Sequence, residues 1–244
     1  MNSKIFGLII KNLQESFSLA KYANISRNFD ANTILKSLPW TEARFKKFVS
    51  RIQNTLSLES EFSGTIADIV NELDSKYSGR FFGEIWKPKT DIYNYTGWQL
   101  VDLINKLEPK AVLDVGCGYN QFKGRINNLI GIDPYNNCAD YMVDILEYAA
   151  VDEGYDAIIA LGSINFNSRE DIELRIDRCI KLLSQKGKMF FRVNPGIQHS
   201  NGPWVDVFHW TFEVAYDIAK KYNLELTEFK KDANDRLFFG YSKK

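Results

Sequence analysis

Three cysteines, two histidines and six prolines in 244 residues leave little material for several kinds of chemistry. Cys117, Cys138 and Cys179 are odd in number and too far apart to form CxxC pairs, which argues against a disulfide framework and a structural zinc site. A reducing compartment and no metal are expected. Charge of one sign is missing too: 31 Lys and Arg offset 31 Asp and Glu, so no net field attracts nucleic acid or an anionic membrane, and neither partner is expected. No apolar run approaches the roughly 18 residues of a membrane-spanning helix. The apolar stretch Ile5 to Ile10 ends at Lys11, short of the about 7 to 15 residues of a secretory leader core, and reads as the first turns of a helix. The expectation is a cytoplasmic protein.

What remains is an ordinary globular composition, 45% hydrophobic and 25% charged, in a length that suits one large domain or a core with an appendage. Residues 1–85 read as a helical region, because Phe45, Phe48, Val49, Ile52 and Leu56, and then Ile66, Ile69, Val70 and Leu73, recur at helical spacing. Between Gly79 and Gly97 the pattern gives way to an aromatic connector with Phe81, Phe82, Trp86, Tyr93 and Tyr95. Residues 86–244 form the core. From Trp98 onward, helix-like and strand-like segments alternate, which predicts an α/β domain on a mostly parallel sheet. Strands are expected at Ala111 to Val115, Leu129 to Asp133, Tyr141 to Val143, Asp156 to Leu161, Lys188 to Val193, Glu225 to Lys230 and Arg236 to Tyr241. The turn formers Asp232 to Asp235 make the last two an antiparallel hairpin. Helices are expected at Trp98 to Lys106, Arg169 to Leu183 and Phe212 to Tyr222.

The informative stretch is Val112-Leu113-Asp114-Val115-Gly116-Cys117-Gly118, a buried strand running into a glycine turn at the carboxyl edge of the sheet, where α/β sheets bind ligands. Glycine there lets the backbone approach a ligand closely, and the small Cys117 fits between the two. A second acid, Asp133, ends the next strand in Gly131-Ile132-Asp133-Pro134, placed to hydrogen-bond ribose hydroxyls. A dinucleotide fingerprint would need a glycine where Gln121 stands, and no GxxxxGK[ST] loop occurs. A nucleoside is therefore favoured over a polyphosphate.

These residues resemble the class I S-adenosylmethionine-dependent methyltransferases over roughly Trp98 to the C-terminus. Asp114-Val115-Gly116-Cys117-Gly118 is similar to the family's first motif, Ile132-Asp133-Pro134 to its second and Val143-Asp144-Ile145-Leu146 to its acidic third. The resemblance implies a Rossmann-like, seven-stranded, mostly parallel sheet with an antiparallel last strand. It implies S-adenosylmethionine as cofactor and S-adenosylhomocysteine as product. Gly116, Cys117 and Gly118 would flank the methionine moiety, Asp114 would orient the turn or the ammonium, Asp133 with Pro134 would hold the ribose, and Asp144 with Ile145 would meet the adenine. Leu161 and Gly162 after the fourth strand would contact the cofactor, and Ser163 and Asn165 the acceptor. Asn120 departs from the family pattern, standing where many members have a third glycine, and Tyr119 to Asn127 leave room for only a short helix.

The segment after the fifth strand carries Arg192, Asn194, His199, Trp204, Asp206 and His209, at the correct edge for an acceptor pocket and with the chain's only histidines as candidate bases. Family enzymes that methylate amino groups of bases or glutamine often carry Asn or Asp before Pro-Pro-Tyr or Pro-Pro-Phe after the fourth strand. That motif is missing here, so the acceptor is expected to be a small molecule or sugar-like metabolite. The helical region would cover the pocket, support the sheet or make homo-oligomer contacts. The alternatives are a catalytically inactive cofactor-binding interaction subunit and a nucleotide-sugar or nicotinamide enzyme of similar fold.

Overall fold

The computed structural model describes residues 11–12, 46–51, 54, 75, 78–79, 82–83, 96–149, 154–166, 168–195, 207–232 and 235–244. The chain divides into two compact units, Met1–Phe81 with Gly202–Asp206, and Phe82–Asn201 with Val207–Lys244. In the first unit residues 46–51 are helical and Phe48 is fully buried. The rest of the expected helical stripes lies outside the described residues.

The second unit is built on a sheet of six strands among the described residues: β1 (Val112–Val115), β2 (Leu129–Ile132), β3 (Tyr155–Leu161), β4 (Leu183–Val193), β5 (Leu224–Lys231) and β6 (Leu237–Lys243). Their order is β2-β1-β3-β4-β6-β5; β6 runs antiparallel to both β4 and β5, and the other pairs are parallel. The near-continuous apolar runs of β1 and β3 suit strands buried on both faces. Leu113, Val115, Ile158, Phe191 and Phe239 line one face. Helices α2 (Arg169–Leu182) and α3 (Phe212–Lys221) cover it with Ile172, Ile176, Cys179 and Ile218. The opposite face, with Val112, Ile159, Phe190 and Phe238, packs on Leu100 and Ile104 of α1 (Gln99–Asn105) and on Phe122 and Ile126.

Local chemistry starts and stops the covering helices. Ser168 and Asp171 form a capping box at the start of α2, and the Thr211 side chain accepts from the Val214 N–H at the start of α3. Lys220 and Lys221 sit at the negative end of α3 before Asn223 breaks it at φ +54°.

The expected seventh strand is not there. Tyr141 to Val143 does not form a ladder; Tyr141 makes a single parallel bridge to Ile132, while Asp140 and Tyr141 both donate their N–H to Gly131 O. The expected short helix after the glycine turn is likewise replaced by turns over residues 118–128.

Candidate functional site

Three strand ends meet at the carboxyl edge, where the order β2-β1-β3 puts β1 in the middle. Gly116 and Gly118 leave β1 at φ +68° and +55°, left-handed conformations in which a side chain is strained. The N–H groups of Gly116 and Cys117 both donate to Ile132 O, at 2.8 and 3.0 Å, and the Gly118 N–H donates to Asp133 Oδ2 at 3.0 Å. The other oxygen, Oδ1, accepts from the Tyr135 N–H at 2.8 Å. The turn and the β2 acid thus form one unit, with Pro134 between the two anchored residues.

Asp114 sits beneath that turn, only 3% exposed. Among the described residues no hydrogen bond or ion pair reaches its carboxyl. Burial, reinforced by the negative charge of Asp133, pushes its pKa up to about 8. Cys117 is buried between the glycines; burial and then the charges of Asp114, Asp133 and Asp140 raise its thiol far above the ordinary range, so it stays protonated and is no nucleophile.

On the other side of β1, Leu161 ends β3, Gly162 follows at φ +99°, and the Ser163 hydroxyl donates to Val115 O. Ser163 thereby touches the glycine turn directly: a Cβ on Gly116 would overlap its side chain. Tyr135 at the β2 exit and Phe166 at the β3 exit are joined by Phe82, which stacks on Tyr135 at 5.5 Å and meets Phe166 edge-on at 5.1 Å. The aromatic connector read from the sequence therefore docks, at Phe82, across the two strand ends that flank β1.

The remaining sequence-derived residues fall into different roles. Asp144 pairs with Arg175 of α2 at 2.9 Å and accepts from the Leu146 N–H at 2.9 Å, while Ile145 is buried. Arg192 makes an ion pair with Asp232 at 2.6 Å, and Asp232 also accepts from the Arg236 N–H at 3.0 Å, so this arginine holds the base of the β5–β6 hairpin. Asn165 Oδ1 accepts from the Asn194 N–H at 2.9 Å, and its carbonyl accepts from the Phe208 N–H at 2.8 Å. It ties the β3 exit to both ends of the segment between β4 and α3. Asn165→Ala removes the acceptor at Asn194 in a buried setting and is expected to cost about 1 to 3 kcal/mol in chemical denaturation. His209 is exposed just ahead of α3. His199, Trp204 and Asp206 lie outside the described residues.

Arg175, Asp232 and Asp140 are site neighbours that sequence reading misses. Each acts through a partner 31, 40 or 9 residues away, and no local pattern marks such a pairing. An open hollow lined by Asp140, Tyr141, Met142, Val143, Tyr148 and Ala149 lies beside the β2 edge. Among the described residues no cluster of ligating side chains could hold a metal ion, and no helix is long and apolar enough to cross a membrane.

No family model matches the sequence, and no curated protein does. Solved structures match in shape. One is the 1,6-didemethyltoxoflavin-N1-methyltransferase of Burkholderia thailandensis with bound 1,6-didemethyltoxoflavin and S-adenosylhomocysteine. It is 11% identical, with a TM-score of 0.55 over 76% of this chain and 93% of that one. Another is the N-methyltransferase NodS of Bradyrhizobium japonicum in complex with S-adenosylhomocysteine, 15% identical, with a TM-score of 0.53 over 70% of this chain and 98% of that one. The chain has the class I S-adenosylmethionine-dependent methyltransferase fold.

Proposed function

We propose that the chain is an S-adenosylmethionine-dependent methyltransferase acting on a small-molecule acceptor. The observation that carries this reading is the hydrogen bond from the Gly118 N–H to Asp133, which brings the glycine turn and the strand-end acid to one place. Asp114 suits such a ligand. A buried carboxyl with no partner among the described residues is costly, and the ammonium of the cofactor's methionine moiety is the kind of charge that would neutralise it. Gly116 and Gly118 would let the backbone approach that moiety, Asp133 would hold the ribose, and Asp144, kept in place by Arg175, would face the adenine. When bound, S-adenosylmethionine would supply a sulfonium methyl open to in-line attack by a lone pair of the acceptor, the S–CH3 bond pair leaving with the sulfur as S-adenosylhomocysteine.

The chain's own work is then alignment and exclusion of water, which can contribute about 7 to 11 kcal/mol. Ser163, Asn165, Arg192, Asn194, Trp204 and Asp206 remain the acceptor-side candidates; of these, Ser163 is the one seen against the glycine turn. His199 and His209 are the candidate bases for an acceptor that must lose a proton. Both solved structures of similar shape are N-methyltransferases, and one has 1,6-didemethyltoxoflavin bound. Together with the equal numbers of basic and acidic residues, this favours a small metabolite over a nucleic acid.

Titration calorimetry with S-adenosylhomocysteine tests the reading, with NAD as competitor. Asp133→Ala is expected to weaken binding about tenfold or more, the scale of a hydrogen bond to a charged group. Unchanged affinity would remove Asp133 from the ribose, and displacement by NAD would point to a nicotinamide enzyme.

A further inference from the structure

In a strand–turn–helix unit, close packing of the helix behind the turn sets the turn's shape, yet only turns follow β1 here. The glycine turn is anchored elsewhere. Its three N–H groups go to Ile132 and Asp133, at the end of β2. The same end of β2 is gripped by Asp140, whose Oδ2 accepts from the Gly131 N–H at 2.8 Å, from Lys123 Nζ at 2.9 Å and from Asn120 Nδ2 at 3.4 Å. Burial works against its charge, but these three donors outweigh it and hold the acid below its ordinary value.

Asn120 closes the circuit. At φ +52° it continues the left-handed turn, a conformation asparagine tolerates better than most residues. Its N–H donates to Cys117 O at 2.9 Å, and its Nδ2 also donates to Cys138 O at 3.1 Å. A Cβ on Gly131 would come within 2.5 Å of Asn120 Oδ1 and 2.9 Å of Cys117 Sγ, so β2 and the turn approach as closely as glycine permits.

We propose that Asp140 and Asn120 are positioning residues for cofactor binding, joining the end of β2 to the glycine turn in place of a helix. The inference rests on the cofactor reading above. It predicts that ligand affinity depends on two side chains that belong to none of the three motifs.

The probe is S-adenosylhomocysteine, titrated calorimetrically at temperatures where circular dichroism shows each variant folded. Asp140→Ala should bind about tenfold more weakly. Asp140→Asn, which keeps an oxygen for the Gly131 N–H, should recover most of that loss. Asn120→Gly preserves the backbone conformation and deletes only the side chain, so it carries the test if Asp140→Ala does not fold; about fivefold weaker binding is expected. Amide exchange at Gly116 to Gly118 in the ligand-free protein should quicken in the same variants. Affinities within twofold of the wild type in folded Asp140→Ala or Asn120→Gly would overturn the proposal and leave the network a purely structural brace. Failure of the wild type to bind would instead overturn the cofactor reading, and this inference with it.

Discussion

Gly116→Ala is expected to destabilise the protein by roughly 2 to 5 kcal/mol and to abolish S-adenosylhomocysteine binding in whatever fraction folds. Two costs add. At φ +68° an alanine meets the left-handed penalty, about 1 to 2 kcal/mol. Its Cβ would also overlap Ser163, whose hydroxyl is tied to Val115 O and cannot retreat without losing that bond; overpacking of this kind costs about 1 to 3 kcal/mol. Set against the roughly 5 to 15 kcal/mol of a typical domain, this is a large fraction. Denaturant midpoints separate the two parts, since adding Ser163→Gly removes the overlap but leaves the backbone strain. A variant as stable as the wild type would mean that β1 and β3 do not close on each other at this point.

The second large effect concerns pH. In the folded protein Asp114 holds its proton up to about pH 8, whereas the unfolded chain releases it near the ordinary 3.8. Between those values the folded state binds the extra proton, so this group's contribution to stability falls as pH rises from about 4 to about 8 and is level above. At about 1.36 kcal/mol per pKa unit the upper bound is roughly 6 kcal/mol. Asp114→Asn should flatten the slope and be the more stable protein at pH 8, as measured by urea denaturation across pH. The same group links to the ligand. An ammonium placed beside Asp114 favours its ionised form, so binding near pH 7 should release a proton and tighten as pH rises toward 8. Calorimetry in buffers of different ionisation enthalpy reads that proton directly. A binding heat independent of buffer would place the cation away from Asp114.

The strands and the glycine turn are legible in the sequence because they are written in local signals. β1, β2 and β3 are short apolar runs punctuated by glycine and acid, and α2 and α3 have capping residues and apolar spacing within a single window. Tyr141 to Val143 has strand-like residues too, but three residues cannot build a ladder when Asp140 and Tyr141 are both drawn onto Gly131 O. The start of β4 is hidden for the opposite reason. Ser184 to Gly187 is polar and reads as a loop, yet Leu183 pairs with Tyr155 ahead of an irregularity in the ladder. Arg192 reads as acceptor-facing from its place at the strand end; its pairing with Asp232 depends on a hairpin that brings together residues 40 apart. Asn120 is visible as a departure from the family pattern, but its bond to Asp140 needs the fold.

The anchoring of the glycine turn on β2 has a dynamic corollary. β2 is only four residues long, and among the described residues the sheet continues beyond it as one bridge, so it is the kind of border element that frays ahead of the central strands. Each time its last residues come loose, all three tethers of the turn release together, and the ligand's seat dissolves as a unit. Occupancy would therefore knit a marginal border into the rigid interior, and the lifetime of the bound state would be capped by how often that border opens.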